Sequence, residues 1–242
     1  DSINLFAASI APAVSAVLAI VLGSVWPPIF AVASILLSLV WLRNLDTEAG
    51  GHVREASIHY SLRHAPRRDL VANFAYNFHT ATGIFIWPMY LALMLPNVGS
   101  IGAVTTIGAI GAAVFLLFIG NRNDTVGTAR VLREGSLATF IAHMLRLVPA
   151  TVTSISVINI VWLLALRYQQ NPWTSAYYAH TRERGVNYIL SMEIACDVAY
   201  VCLFLLVLII FSTLGYQTGF TILFILAAFV SLLCTRITPV ES

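Results

Sequence analysis

Apolar residues dominate this chain in runs far too long for strands. Eight stretches, roughly 4–25, 27–45, 70–95, 99–119, 135–153, 155–181, 187–212 and 217–236, are each mainly apolar. A membrane-crossing helix takes about 20 such residues. The runs lack the two-residue alternation of barrel strands, and helices satisfy their own backbone in lipid. The pattern therefore predicts an all-α polytopic bundle of about eight transmembrane helices. One long hydrophilic stretch, 46–69, interrupts it. Within it, residues 53–64 have the character of a short surface helix before Pro66.

Charge placement sharpens this picture. All thirteen basic residues are arginines. Arg43, Arg54, Arg63, Arg67 and Arg68 lie at or after the second run, and Arg122, Arg130 and Arg133 after the fourth. Arg182 and Arg184 follow the sixth, and Arg236 the eighth. The intervening connections near 24–28, 96–98, 153–154 and 213–216 carry no charge. Positive loops stay in the cytoplasm, so the expectation is a multi-pass protein of the cell membrane with both termini of this chain cytoplasmic.

Composition agrees. Of 242 residues, 59% are hydrophobic and 10% charged, against about a quarter charged in soluble domains. A net charge of +2 offers nothing for nucleic acid to bind. Cys196, Cys202 and Cys234 lie in apolar runs and read as small buried side chains. His52, His59 and His64 are spaced by seven and five, not the four that pairs two ligands on a helix, so no metal or other cofactor is expected. No P-loop, nucleophile elbow or HExxH pattern suggests an enzyme. Asn123-Asp124-Thr125 is a formal glycosylation sequon on the cytoplasmic side, where it goes unused.

The segment after the fourth run reads Gly120-x3-Asp124-x2-Gly127-x2-Arg130. It resembles the cytoplasmic loop motif of the major facilitator superfamily, G-x-x-x-D-[RK]-x-G-[RK]-[RK]. Both glycines and the aspartate match in spacing. Thr125 stands where a basic residue is usual, and the basic pair is reduced to Arg130. Glycine accepts backbone angles that other residues resist, and an aspartate can cap the following helix. In that family a long cytoplasmic linker joins two six-helix halves, and the motif sits between the second and third helices of a half. The resemblance implies that 1–45 holds the last two helices of an N-terminal half, that 46–69 is the linker and that 70–242 is a six-helix C-terminal half. The family's antiporter-type glycine–proline motif is not intact, since the first run has only Ala11-Pro12.

Polar residues inside the runs supply the candidate chemistry, because a charge at the centre of a bilayer costs about 2.5–3.5 kcal/mol on insertion scales. Arg167 sits mid-run, with Asn159, Gln170, Thr174 and Tyr177 near its helical face and Pro172 predicting a kink. It is the candidate for holding an anionic group of a solute or partnering a proton-carrying acid; a structural ion pair is the alternative. Glu193 and Asp197 share a face at i, i+4. Asp197, about 15 Å inside the cytoplasmic end, is the candidate proton carrier; Glu193, nearer the interface, is a candidate partner of Arg182 or Arg184. Asn73, Asn77, Thr80 and Trp87 form a mixed polar and aromatic face that either contacts solute or glues helices. Pro88 marks a bend. His79, His143 and Arg146 read as structural, and the glycines of the fourth run as helix packing.

Together these features imply a secondary transporter moving a small solute by alternating access, coupled to protons, in the lipid bilayer. Two helices opposite six cannot wall a symmetric cavity, so further N-terminal helices or a second chain are expected as partner. The rival expectation is a non-transporting scaffold, assembly factor or receptor on the same fold.

Overall fold

The computed structural model describes residues 11, 14–42, 65–95, 97–148 and 151–237, apart from the side chains of 40–42, 98 and 112–124. The expected surface helix at 53–64 and the histidines at 52, 59 and 64 lie outside the described residues. Every regular element among those described is helical. The order is α1 (14–21), α2 (Trp26–Leu42), α3 (Arg67–Ala81), a π-helical turn (Thr82–Ile86), α4 (Trp87–Met94), α5 (Val98–Val126), α6 (Thr128–Leu145), α7 (Val152–Arg184) and α8 (Val186–Leu232), ending in a 3-10 turn (Leu233–Arg236).

The backbone of α8 is broken at Gly215 (φ 77, ψ 171). There the chain doubles back: the rings of Phe211 and Phe220 lie 5.1 Å apart, against about 13.5 Å of rise for nine residues of straight helix. The two limbs are termed α8a (186–214) and α8b (216–232).

Two buried clusters mark the ends of the bundle. One gathers Ala65, Leu132, Trp173, Tyr188, Cys234 and Ile237. The other gathers Trp87, Leu95, Ile155, Ile210 and Phe220. The rods α3–α4, α6, α7, α8a and α8b thus run alternately up and down, with α5 joining α4 to α6. The arginines of 67–68, 130–133, 182–184 and 236 fall at the first end.

Reversals are abrupt. Gly127 (φ 92) alone separates α5 from α6, and Gly185 (φ 70) alone separates α7 from α8. The motif segment is accordingly less of a loop than its spacing predicts: helix continues through Val126, and the turn is Gly127 itself. At Gly127 and Gly215 an added Cβ would meet nothing within 4 Å. Substitution there is costly only through the backbone, whose φ/ψ is nearly exclusive to glycine. Gly127→Ala and Gly215→Ala are each expected to destabilise by about 1–3 kcal/mol, measured as lower thermal-unfolding midpoints in detergent.

The π turn precedes Pro88. Proline at position 88 cannot donate to the carbonyl one turn back and its ring crowds that turn; a π bulge relieves such conflicts and often marks functional sites. It also presents Gly83 to the ring of Trp162, where a Cβ would fall 1.9 Å from the nearest ring carbon. α7, by contrast, remains helical through Pro172.

The outside of the bundle is apolar. Val201, Phe204, Leu205, Leu208 and Ile209 on α8a, and Val32, Ile35, Leu36 and Leu37 on α2, are exposed. The inside is partly polar: Asp69, Asn73, His79, Arg146, Asn159 and Gln169 are buried. α7 and the α8 region through Arg236 are long and apolar enough to cross a membrane, and Trp26–Leu39 and Gly99–Gly111 are shorter apolar helices.

Candidate functional site

α3 and α7 meet at an aromatic stack. Tyr76 lies flat on Trp173, centroids 4.1 Å apart at 7°. Trp173 in turn stacks on Tyr177 at 5.4 Å. The i, i+4 spacing of Trp173 and Tyr177 places them one turn apart on α7, and Tyr76 reaches them from α3. Tyr76 is within electrostatic range of Arg167 on α7 and Tyr200 on α8a. Tyr200 is within that range of Glu193 and Asp197, and Tyr177 within range of Glu193. Arg167, from the sixth run, and Glu193, from the seventh, thus lie in the electrostatic neighbourhood of this stack, and Asp197 in that of Tyr200. Of the stack itself, periodicity placed only Tyr177 near Arg167; the pairing of Tyr76 with Trp173 spans almost a hundred residues and leaves no local signature.

Arg167 is half-buried. Its Nη1 donates to Gln170 Oε1 at 2.6 Å, one turn along α7, while its Nε is sealed without a partner. No carboxylate among the described residues pairs with it. Glu193 and Asp197 stand exposed on α8a. Glu193 is not the partner of Arg184. That guanidinium goes instead to Asp69, Nη1 to Oδ2 at 3.5 Å.

The α3–α4 face divides in two. Asn77 donates from Nδ2 to Asn73 O (2.9 Å) and Oδ1 (3.0 Å) and is half-buried. Thr80 is half-buried, its hydroxyl oxygen sealed without a partner. Asn73 and Trp87 face inward. Asn73 Nδ2 donates to the Met192 carbonyl of α8a. Trp87 Nε1 donates to Asn159 Oδ1 at 2.8 Å, and Asn159 Nδ2 to the Val104 carbonyl at 3.1 Å. This relay ties α4, α7 and α5 together, the cross-helix use of amides expected where water is absent. Asn159 thus turns away from the Arg167 side that its spacing suggested.

At the arginine-rich end, Asp69 is fully buried in the first turn of α3. Besides Arg184 it faces Arg68 (Nε–Oδ1 3.8 Å) and accepts from the Tyr188 hydroxyl at 3.3 Å. The sequence pattern had put Asp69 in the linker; its helical placement follows from a helix that starts at Arg67, just after Pro66, and its burial from Arg184 and Tyr188. Of the loop-motif residues, Gly120 and Asp124 are helical in backbone, with Asp124's side chain outside the described set. Arg130 Nε donates to Glu134 Oε1 at 3.2 Å, and the Tyr168 hydroxyl donates to Glu134 Oε2, joining α6 to α7. Gln169 Nε2 donates to Ser136 Oγ (3.0 Å) and the Ser231 carbonyl (3.3 Å), binding α6, α7 and α8b.

Among the described residues no three His, Cys, Asp or Glu side chains are placed to hold a metal. Comparison with models of known families, with curated proteins and with solved structures finds no match to this chain.

Proposed function

We propose that this chain is part of a secondary active transporter resembling the major facilitator superfamily, which moves a small solute across the cell membrane by alternating access with proton coupling. The observation that carries the reading is Arg167: a half-buried cation in an apolar bundle, bonded to a neutral amide, paired with no acid among the described residues, and within electrostatic range of Tyr76 in the aromatic stack. Keeping a charge there is expensive, and an anionic or strongly polar solute group is the partner it lacks. An apolar outside around a partly polar inside is the arrangement lipid favours and water does not. The family and the orientation rest in this reading on the loop motif, the linker and the arginine asymmetry of the sequence.

In this reading Arg167 and Gln170 hold the solute, Tyr76, Trp173 and Tyr177 stack against it, and Asn77 and Thr80 add polar contacts. Asp197 carries the proton, with Glu193 nearer the cytoplasmic water. α1 and α2 belong to the opposing half, and further helices or a second chain close the cavity. Rocking of the two bundles about the midplane then exposes the site to each side in turn.

Uptake into proteoliposomes under an inward proton gradient tests this, with a panel of organic acids, sugars and amino acids as solutes. Asp197→Asn is expected to lower gradient-driven uptake at least tenfold while solute exchange without a gradient persists. Arg167→Ala is expected to weaken solute affinity by a similar factor, the loss of one charge-assisted bond. Unchanged gradient-driven uptake in Asp197→Asn sinks the proton role, and unchanged affinity in Arg167→Ala sinks the solute role. The internal bonding of Asn73 and Trp87 favours a second reading, a receptor or assembly scaffold on the same fold. Solute-induced thermal stabilisation without flux would select it.

A further inference from the structure

At the end of the bundle away from the arginine-rich junctions lies a second cation, in a more enclosed setting. Arg146 follows α6 and is 3% exposed. Its guanidinium carbon sits 4.5 Å from the centroid of Trp87 and 4.4 Å from that of Trp162, with Phe224 at 5.5 Å. Nη1 contacts His143 Nδ1 at 3.1 Å. Arginine only donates, so Nδ1 accepts, the ring proton sits on Nε2, and His143 is neutral. Nε and Nη2 are sealed from water and have no partner. These two atoms share one edge of the guanidinium, and their N–H bonds run parallel: the fork that matches a carboxylate.

Arg146 also forms part of the wall of a cleft of about 280 Å³, with Tyr90, Met94, Gln217, Phe220 and Thr221. None of the lining residues is acidic. The cleft is at the small end of ligand pockets, and it combines aromatic surface with hydroxyl and amide groups.

We propose that this cleft binds a small organic carboxylate, held by the Nε/Nη2 edge of Arg146, its body against Tyr90 and Phe220 and its rim contacts made by Gln217 and Thr221. Met94 and Gln217 are exposed at the cleft, and binding requires the side chains that seal the edge to move aside. The site is separate from Arg167 and does not depend on the transport reading. A planar monoanion fits the fork; a neutral isostere does not, because both N–H groups would lose their charged acceptor.

The test is titration of the purified protein in lipid nanodiscs with sodium benzoate, read by tryptophan fluorescence, since Trp87 and Trp162 flank the guanidinium. Benzamide is the neutral control. Saturable binding of benzoate below about 1 mM is expected, with benzamide at least tenfold weaker. Arg146→Lys, which keeps the charge but loses the fork, is expected to weaken benzoate at least tenfold. Should that variant fail to fold, Thr221→Phe fills the cleft from an exposed position and is expected to abolish binding with the fold retained. Equal affinity for benzoate and benzamide, no saturable binding, or native affinity in folded Arg146→Lys or Thr221→Phe overturns the proposal. Loss of benzoate binding in Arg167→Ala with native affinity in Arg146→Lys also overturns it, by placing the anion at the other site.

Discussion

Replacing Arg184 with methionine destabilises the protein by about 3 kcal/mol, the cost of leaving one partner of a buried ion pair alone. The expectation is asymmetric. Asp69 is fully buried, while the Arg184 side chain is 29% exposed. Removing the arginine strands a carboxylate whose remaining partners are the Tyr188 hydroxyl and the largely exposed Arg68. Removing the acid instead, as Asp69→Asn, frees an arginine that turns toward water, and costs about 1 kcal/mol, the loss of an ordinary net hydrogen bond. The double variant is less damaged than Arg184→Met alone. Thermal unfolding of the four proteins in detergent decides it: a drop of roughly 6–12 °C for Arg184→Met, partly recovered in the double variant. Equal losses in both single variants would mean that the pair is not organised around the buried aspartate.

Gly135→Val is the second large effect. A Cβ at residue 135 would stand 2.7 Å from Gln169 Cα and 2.8 Å from Gln169 N. Backbone cannot turn aside as a flexible side chain can, so α6 and α7 must separate. Alanine is expected to cost about 2 kcal/mol, within the range for overpacking, and valine more. Separation also breaks the Gln169–Ser136 bond and the Thr139–Ala165 bond across the same seam. Gly111 is the control. An added Cβ there meets only Ile160, at 4.0 Å, so Gly111→Ala is neutral or slightly stabilising through helix propensity. Similar unfolding midpoints for Gly135→Val and Gly111→Ala would refute the close α6–α7 approach.

Some helix positions were legible in the sequence because a long apolar run ends at a polar or glycine-rich break, but α6 (Thr128–Leu145) begins seven residues before the expected run 135–153 and ends eight before that run does. α7 and α8a begin and end within a few residues of the expected runs, and Gly215 divides the last two. Contacts between distant parts of the chain were not legible. Periodicity puts Asn73, Asn77 and Trp87 on one side of a helix but cannot say that the indole will meet Asn159, seventy-two positions later. Arg146 illustrates the same limit. The family resemblance implied that its helix is scaffold, and only the arrival of Trp87, Trp162 and Phe224 from three other helices makes its surroundings unusual. Asp69 was misjudged for a different reason: a charged residue beside two arginines has the composition of a linker, and its burial depends on Arg184 and Tyr188 arriving from the far end of α7 and the start of α8.

The one-residue junctions have a mechanical consequence. A single residue spans at most about 3.6 Å, less than the 5.4 Å of one helical turn. α5 therefore cannot ratchet by a turn along its axis without dragging α6, and α7, α8a and α8b are coupled in series in the same way. Helices joined through Gly127, Gly185 and Gly215 alone are links that cannot slide past one another independently.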